Sequence, residues 1–176
     1  GQYLEVSLVD ALLSTMPPST LTHWVDGGVP ERLGNDDPGS APIGVFPCSD
    51  GLFVFSTGNQ KLWHLFCQHV LHDDVLDQDP RFDNPAKRLE HRDLLNKIAS
   101  DWSSQHTVEE CVDACTKAGL PTAPVWNIKQ IHESDFFRND RQMFIEVDYG
   151  REGKKIDTVA QPLRFNDHPR QLKYSP

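Results

Sequence analysis

Blocks of alternating and helical periodicity run along the chain, and together they predict a mixed fold of strands and helices. Residues 44–48 and 52–56 are β-rich runs on either side of an Asp50-Gly51 turn. Asp-Gly favours a hairpin because it tolerates the positive φ that a tight turn requires. A loop over residues 56–60 then leads into a helix. The apolar stripe of that helix consists of Leu62, Trp63, Phe66 and Val70.

Two further helices are predicted in the middle of the chain. The first covers about residues 86–102. Its apolar positions at i, i+4 and i+8 are Leu94, Ile98 and Trp102. The second begins at a capping box, in which Thr107 and Glu110 satisfy free backbone donors, and Gly119 stands where a C′ glycine ends a helix. Its apolar stripe consists of Val108, Cys111, Val112 and Cys115.

Composition divides the chain into four segments. Residues 1–17 indicate a strand and an apolar helix, which the prolines at its end stop because proline cannot continue the hydrogen-bond ladder. Residues 18–42 are rich in Gly, Pro, Asp and Asn and are predicted to be an interdomain linker. Residues 43–160 are predicted to form a small α/β domain, and residues 161–176 a C-terminal strand and extended arm. The other predicted elements are a short helix around Ile128 and Ile131 and strands at residues 144–147 and 156–159.

Charge and composition exclude several classes of protein. The chain has 176 residues, with 26 Asp and Glu against 17 Lys and Arg, and a formal net charge of -9. This balance argues against nucleic-acid binding, which needs a basic footprint, and against docking on an anionic membrane. No run approaches the roughly 20 apolar residues of a membrane span. Four cysteines without a C-x-x-C pair indicate reduced thiols in an intracellular, cytoplasmic protein.

The start of the chain carries neither a basic region nor an initiator Met. It is therefore not a signal peptide. A chain that opens on Gly1-Gln2 and runs straight into a strand-like segment is expected to be cut from a longer protein.

A dense group of histidines is the first candidate site. His64, Cys67, His69 and His72 are residue types that ligate zinc or other transition metals. On a helix, however, His64 and His72 share a face with Gln68, whereas His69 is turned away. A polar helix face is therefore favoured, and no metal site is predicted. The sequence also lacks a G-x-S-x-G elbow, a papain-like cysteine, a P-loop and a G-x-G-x-x-G motif.

The loop between the second strand and the first long helix is the better candidate. Backbone N–H groups at a helix start point at whatever lies there, and two amide side chains add donors suited to a carboxylate or thioester. The residues of this loop are Ser56, Thr57, Gly58, Asn59 and Gln60. From the residues alone, an ordinary strand-to-helix turn is favoured over a binding loop, and no complete active site is visible.

The order of several motifs resembles class III CoA-transferases, the CaiB/BaiF family, in its formyl-CoA transferase-like form. The resemblance begins with the Gly-Gln-strand-helix pattern of residues 1–11 and covers nearly the whole chain. The other matching segments are residues 30–35, Ala41-Pro42, Asp50-Gly51, Gly58-Asn59-Gln60 leading to Trp63, residues 79–82, 91–95, 118–125 and 141–143.

The resemblance implies an enzyme that moves CoA from an acyl-CoA donor to a carboxylic acid. Such enzymes are interlocked homodimers, with a Rossmann-like large domain and a small domain in each subunit. A nucleophilic Asp forms a mixed anhydride and then an aspartyl-CoA thioester, which divides one hard transfer into easier steps. Coenzyme A thioester is a substrate, and no tightly bound cofactor is expected. The partners are therefore acyl-CoA and carboxylic acid substrates, the large domain and a second subunit, without nucleic acid or membrane.

Carried over to this sequence, the resemblance makes residues 1–17 the end of the large domain. The catalytic Asp and most of the CoA-binding surface are expected upstream, which leaves no catalytic residue here and makes the chain alone inactive. The loop at residues 56–60 matches the family's mobile glycine-rich loop, which covers the intermediate, although only Gly58 is a glycine. Racemases of the family carry a Glu near Gln60, so the glutamine favours a transferase. A racemase or lyase, and a non-catalytic binding or interaction module, remain alternatives.

Overall fold

The fold combines helices with antiparallel strands, as the sequence predicts. A computed structural model describes residues 1–16, 25, 27–29, 31–149 and 153–163. The described helices are α1 (Leu8–Ser14), α2 (Gln60–Phe66), α3 (Asp74–Asp77), α4 (Pro85–Glu90), α5 (Arg92–Ser103), α6 (Val108–Lys117) and α7 (Ile128–Glu133). Two π-helical segments cover Cys67–Leu71 and Phe136–Asp140. The strands are β1 (Ile43–Pro47), β2 (Leu52–Ser56), β3 (Thr122–Pro124), β4 (Phe144–Tyr149) and β5 (Lys154–Val159).

The chain divides into two compact units, Gly1–Pro124 and Val125–Pro176. The first unit contains a three-stranded antiparallel sheet in the order β1-β2-β3. In its hairpin, Phe46 lies opposite Phe53 and Pro47 opposite Leu52. The predicted hairpin is confirmed, and the extended segment after Gly119 supplies the third strand.

The hairpin turn forms without the predicted positive φ. Gly51 is not among the glycines with positive φ in the described part of the chain. The turn is closed by the N–H of Cys48, which donates to the carbonyl of Gly51 at 2.8 Å. Asp50 Oδ1 in addition accepts a hydrogen bond of 2.7 Å from the N–H of Val108, at the start of α6. A Cβ added to Gly51 would lie 3.0 Å from the side chain of Val108. Asp50 and Gly51 therefore allow the start of α6 to lie close to the hairpin turn.

Aromatic side chains from the sheet and the helices form the core of the first unit. The rings of Phe53 and Phe55 stack with their centroids 5.4 Å apart, and Phe55 lies 4.9 Å from Phe66 on α2. Trp102 of α5 meets Phe66 edge to face at 6.4 Å. Trp63, on the same helix as Phe66, is completely buried. Apolar burial of this kind, at about 25 cal/mol per Å², is the main force holding the unit together.

The helix predicted over residues 86–102 is two helices in the structure. Helix α4 ends and α5 begins at His91, whose φ of -116° and ψ of 24° interrupt the helical backbone. The buried positions of α5 include Leu95 and Ala99, whereas Leu94 is 40% exposed. Ile98 and Trp102 of the predicted stripe pack against the core, whereas Leu95 takes the buried position predicted for Leu94.

Both predicted ends of α6 are confirmed. Thr107 and Glu110 form the capping box. After the last turn, Leu120 N–H donates to Cys115 at 2.9 Å and Gly119 N–H donates to Thr116 at 3.0 Å, which is a Schellman motif. Gly119 has a φ of 80°, which accounts for a glycine at this position.

The segment before β1 is joined to β1 and to α5 by hydrogen bonds. Asn35 Nδ2 donates to the carbonyl of Val45 at 2.9 Å, and Arg92 donates to the carbonyl of Asp37 at 2.7 Å. Gly44 has a φ of 149°, and an added Cβ would lie 2.9 Å from the backbone oxygen of Asn35. Only a glycine therefore fits where this segment meets the first strand.

Residues 1–7 form no strand in the structure, so this prediction was wrong, whereas α1 confirms the helix after them. A strand requires a hydrogen-bonded neighbour, and this segment is exposed, with Tyr3 at 89%.

The second unit contains the predicted strand pair β4 and β5, which are antiparallel with Phe144 opposite Val159. The predicted helix before them is α7, which begins at a capping box of Asn127 and Gln130. The side chain of Arg138 donates to Asp157 on β5 at 2.6 Å. The central residues of the predicted turn between the strands, and most of the predicted C-terminal strand and arm, lie outside the described residues.

Candidate functional site

The loop at residues 56–60 is held firmly at its first half. Thr57 is completely buried, and its hydroxyl donates to the carbonyl of Pro42 at 2.8 Å. Its N–H donates to the same carbonyl at 3.2 Å, and Ser40 Oγ donates back to the Thr57 carbonyl at 3.3 Å. Ser56 ends β2, and its N–H donates to Pro121 at 3.1 Å. The loop therefore leaves the sheet from a fixed point.

The second half of the loop is the start of α2. Asn59 is the N-cap, and its side chain accepts the N–H of Leu62 at 3.0 Å. The cap uses the side-chain oxygen of Asn59, so it does not occupy the N–H groups that the sequence predicts as donors to a ligand. Gly58 is exposed between the two anchored residues, and an added Cβ would meet only ordinary contacts, 3.4 Å from Ser56 Oγ and 3.8 Å from Ile43.

Gln60 turns inward and meets a buried cation. Its Oε1 accepts a hydrogen bond of 2.5 Å from Arg88 Nη1. Arg88, on α4, is 0% exposed, and its other hydrogen bonds go to the carbonyls of Ala41 and Phe82, each at 3.1 Å. The guanidinium carbon lies 5.5 Å from the ring centroid of Trp63, a cation–π distance. Burial lowers the pKa of Arg88 from its ordinary value.

A second arm of hydrogen bonds continues from Gln60 along α2. Gln60 Nε2 lies 3.3 Å from Nε2 of His64, one helical turn later. The other ring nitrogen of His64 bonds to Asp77, whose side chain is 5% exposed. Gln68 donates to the second oxygen of Asp77 at 2.7 Å. These contacts link Arg88, Gln60, His64 and Asp77 into one chain, which we call the Gln60 network.

A cavity of about 360 Å³ opens beside this network. Three carboxylates give it an acidic rim, and Gln60 supplies an amide to its wall. Its lining residues are Gln60, His64, Asp77, Gln78, Asp79 and Asp83.

The histidine-rich segment takes part in this network but assembles no metal centre. Among the residues that the structure describes, no three His, Cys, Asp or Glu side chains come together as metal ligands. His72 ends the π-helical turn with a left-handed φ of 53°, and its Nδ1 lies 3.1 Å from the carbonyl of Gln68. Cys67 is buried in the core, and desolvation raises its pKa above the ordinary range.

Arg88 and Asp77 carry no local sequence signal of a site. Arg88 lies 28 residues from Gln60, and Asp77 lies 13 residues from His64. Only folding of α3 and α4 against α2 brings these side chains together. To predict the contact of this buried arginine from sequence, one would have to know that residues 60 and 88 lie together in the fold.

Comparison with known proteins decides the family of the chain. The model of CoA-transferase family III matches residues 1–176. The chain belongs to this family.

Relatives within CoA-transferase family III are similar at low identity. A succinyl-CoA:mesaconate CoA-transferase from Haloarcula hispanica is 25% identical over 167 residues, which are 95% of this chain and 41% of that protein. An acetyl-CoA:oxalate CoA-transferase from Acetobacter aceti is 29% identical over 130 residues, which are 74% of this chain and 33% of that protein. The chain thus spans less than half the length of these curated relatives.

The fold is also that of solved family proteins. A CaiB/BaiF family protein from Brucella suis superposes with a TM-score of 0.73 at 24% identity, covering 98% of this chain and 43% of that one. Within the described ranges, no helix of this CoA-transferase family III chain is both long and apolar enough to cross a membrane.

Proposed function

We propose that this chain is part of an acyl-CoA:carboxylate CoA-transferase and supplies its small domain and the loop that covers the active site. The observation that carries the proposal is the family match over residues 1–176. The relatives described above support it, since their names place them in transfer of CoA between carboxylic acids.

The geometry of residues 56–60 supports a covering role. Thr57 fixes one end of the loop in the core, and Asn59 fixes the other end to α2. Between them lies Gly58, which is exposed and carries no side chain. Such a loop excludes water from a reactive acyl intermediate with little movement of its ends.

In the proposed reaction an Asp upstream of this chain is the nucleophile. Its carboxylate attacks the thioester carbonyl, the C–S bond breaks and CoA leaves as thiolate, giving a mixed anhydride. The thiolate then attacks the aspartyl carbonyl of the anhydride, which releases the donor acid and leaves an aspartyl-CoA thioester. The acceptor carboxylate takes CoA by the same steps in reverse.

The proposal gives the net charge of -9 a physical consequence. The CoA phosphates are anionic, so the basic groups that meet them belong to a large Rossmann-like domain outside this chain. We further propose an interlocked homodimer in the cytoplasm, with CoA thioester as substrate and no tightly bound cofactor.

The decisive experiment measures CoA exchange between an acyl-CoA donor and a free dicarboxylic acid. The full-length protein is incubated with succinyl-CoA and oxalate or mesaconate, and the acyl-CoA products are separated by chromatography. We expect CoA to move between the acids with the full-length protein and not with residues 1–176 alone. Robust turnover by the isolated chain would contradict its assignment as a covering domain.

The same samples separate the alternatives. In deuterated water, a racemase exchanges the hydrogen at the α-carbon of a branched acyl-CoA without moving CoA between acids. An interaction module does neither. Either result with the full-length protein would overturn the transferase proposal.

A further inference from the structure

The guanidinium of Arg88 is buried without a carboxylate partner among the described side chains. Its hydrogen bonds go to two backbone carbonyls and to the side chain of Gln60. The Nη2 atom is buried with no hydrogen-bond partner in this part of the structure. A buried cation held only by neutral acceptors is costly to fold, so its retention calls for an explanation.

The first consequence concerns the side-chain amide of Gln60. A guanidinium offers only N–H donors, so the atom of Gln60 that faces Arg88 must be its oxygen. The amide nitrogen is then directed to His64, where Nε2 lies 3.3 Å away. Arg88 therefore removes the ambiguity between the two orientations of a glutamine amide.

The second consequence concerns His64. Its Nδ1 faces the carboxylate of Asp77, which accepts hydrogen bonds and therefore places the imidazole proton at Nδ1. In the neutral ring this leaves Nε2 as an acceptor, and the N–H of Gln60 is a matching donor. Arg88 and Asp77 thus fix the same orientation of the amide from opposite ends.

We propose that Arg88, His64 and Asp77 are positioning residues that present Gln60 as a hydrogen-bond donor in the cavity beside α2. A primary amide has two N–H groups. One is directed to His64, and the other is available to an acyl oxygen of the anhydride or thioester. In the opposite orientation the amide would present an oxygen, which repels an acyl oxygen. This inference rests on the proposed function, because it names the ligand atom that Gln60 meets.

Gln60→Glu separates positioning from stability. The carboxylate gives Arg88 a charged partner, so we expect the full-length variant to unfold at the same urea concentration as the wild type or a higher one. It also removes the N–H donor, so we expect kcat for CoA transfer to fall at least about tenfold. Gln161→Glu adds the same charge at an exposed position of the other unit and should leave both quantities unchanged.

A lower urea midpoint for Gln60→Glu would overturn the pairing with Arg88, and retained kcat would overturn the donor role. A second measurement does not depend on catalysis. In the nitrogen-15 spectrum of the full chain, His64→Ala should shift the side-chain amide signal of Gln60, because it removes the acceptor that lies 3.3 Å from Gln60 Nε2. An unchanged Gln60 signal in His64→Ala would refute the network. If the wild type transfers no CoA, the proposed function fails, and this spectrum still decides the inference.

Discussion

Replacing Thr57 by valine tests whether the hydroxyl of this residue anchors the candidate loop. Valine has the shape of threonine, so the change removes the hydrogen bond of 2.8 Å to Pro42 without opening a large cavity. The carbonyl of Pro42 keeps the N–H of residue 57 as a donor at 3.2 Å and is not left unsatisfied. The cost should therefore be that of one ordinary hydrogen bond, about 1 kcal/mol in the free energy of unfolding.

Urea unfolding followed by tryptophan fluorescence measures this cost, because Trp63 and Trp102 lie in the same unit as the loop. With a urea m-value of about 2 kcal/mol per M, the midpoint should fall by about 0.5 M. Thr116→Val, at an exposed position of α6, is the matched control and should shift the midpoint much less.

Two results would refute the reasoning about Thr57. An unchanged midpoint would mean that the buried hydroxyl contributes nothing to the anchor. A loss of more than about 3 kcal/mol would exceed one hydrogen bond and would mean that the backbone contact to Pro42 breaks as well.

The remaining predictions concern glycine, leucine and cysteine positions. Gly44→Ala should lower the free energy of unfolding by about 1–3 kcal/mol, because residue 44 has a φ of 149°, whereas Gly58→Ala should change it by less than about 1 kcal/mol. If Gly58→Ala nevertheless lowers CoA transfer, the loop needs the freedom or the space of a glycine. Leu95→Ala should cost about 2–5 kcal/mol and Leu94→Ala less than about 1 kcal/mol in the same denaturation assay, and equal losses would contradict the position of α5. Burial raises the pKa of Cys115 to about 12, above an unfolded value of about 8.5. The unfolded chain therefore loses this proton first, so the free energy of unfolding should fall as the pH rises from about 8.5 towards 12. Cys115→Ala should make the free energy of unfolding less dependent on pH in this range.

The Gln60 network also bears on how a buried charge is tolerated. Carbonyl oxygens and the face of Trp63 surround the guanidinium of Arg88 with partial negative charge, which replaces part of the hydration that it loses. Arg88 at the same time joins α4 to the carbonyl of Ala41 before β1 and to the start of α2. Arg88, which positions the amide of Gln60, therefore also holds several elements of the first unit together. Because removal of Arg88 would disturb these contacts as well, Gln60→Glu is the sharper test.

Sequence by itself determined the elements whose signals are local. The hairpin, the capping box at Thr107 and the C′ glycine at Gly119 depend on residues within a few positions of one another, and all three are confirmed. The ordered motifs, taken together, also identified the family. The assignment of residues 56–60 as the loop that covers the active site rests on the same family resemblance and remains a proposal.

Tertiary structure alone decided which faces are buried and which side chains meet. On α5, packing against the core buries Leu95 and leaves Leu94 40% exposed, although helical spacing allows either residue to share a stripe with Ile98 and Trp102. The role of Gln60 depends on Arg88, 28 residues away in sequence. Helical spacing at i, i+3, i+4 and i+7 leaves a choice between neighbouring positions of a stripe, and contacts between distant residues depend on the packing of whole elements. Local patterns therefore predict the elements around the candidate site, whereas the packing of α2, α3 and α4 determines which side chains form hydrogen bonds there.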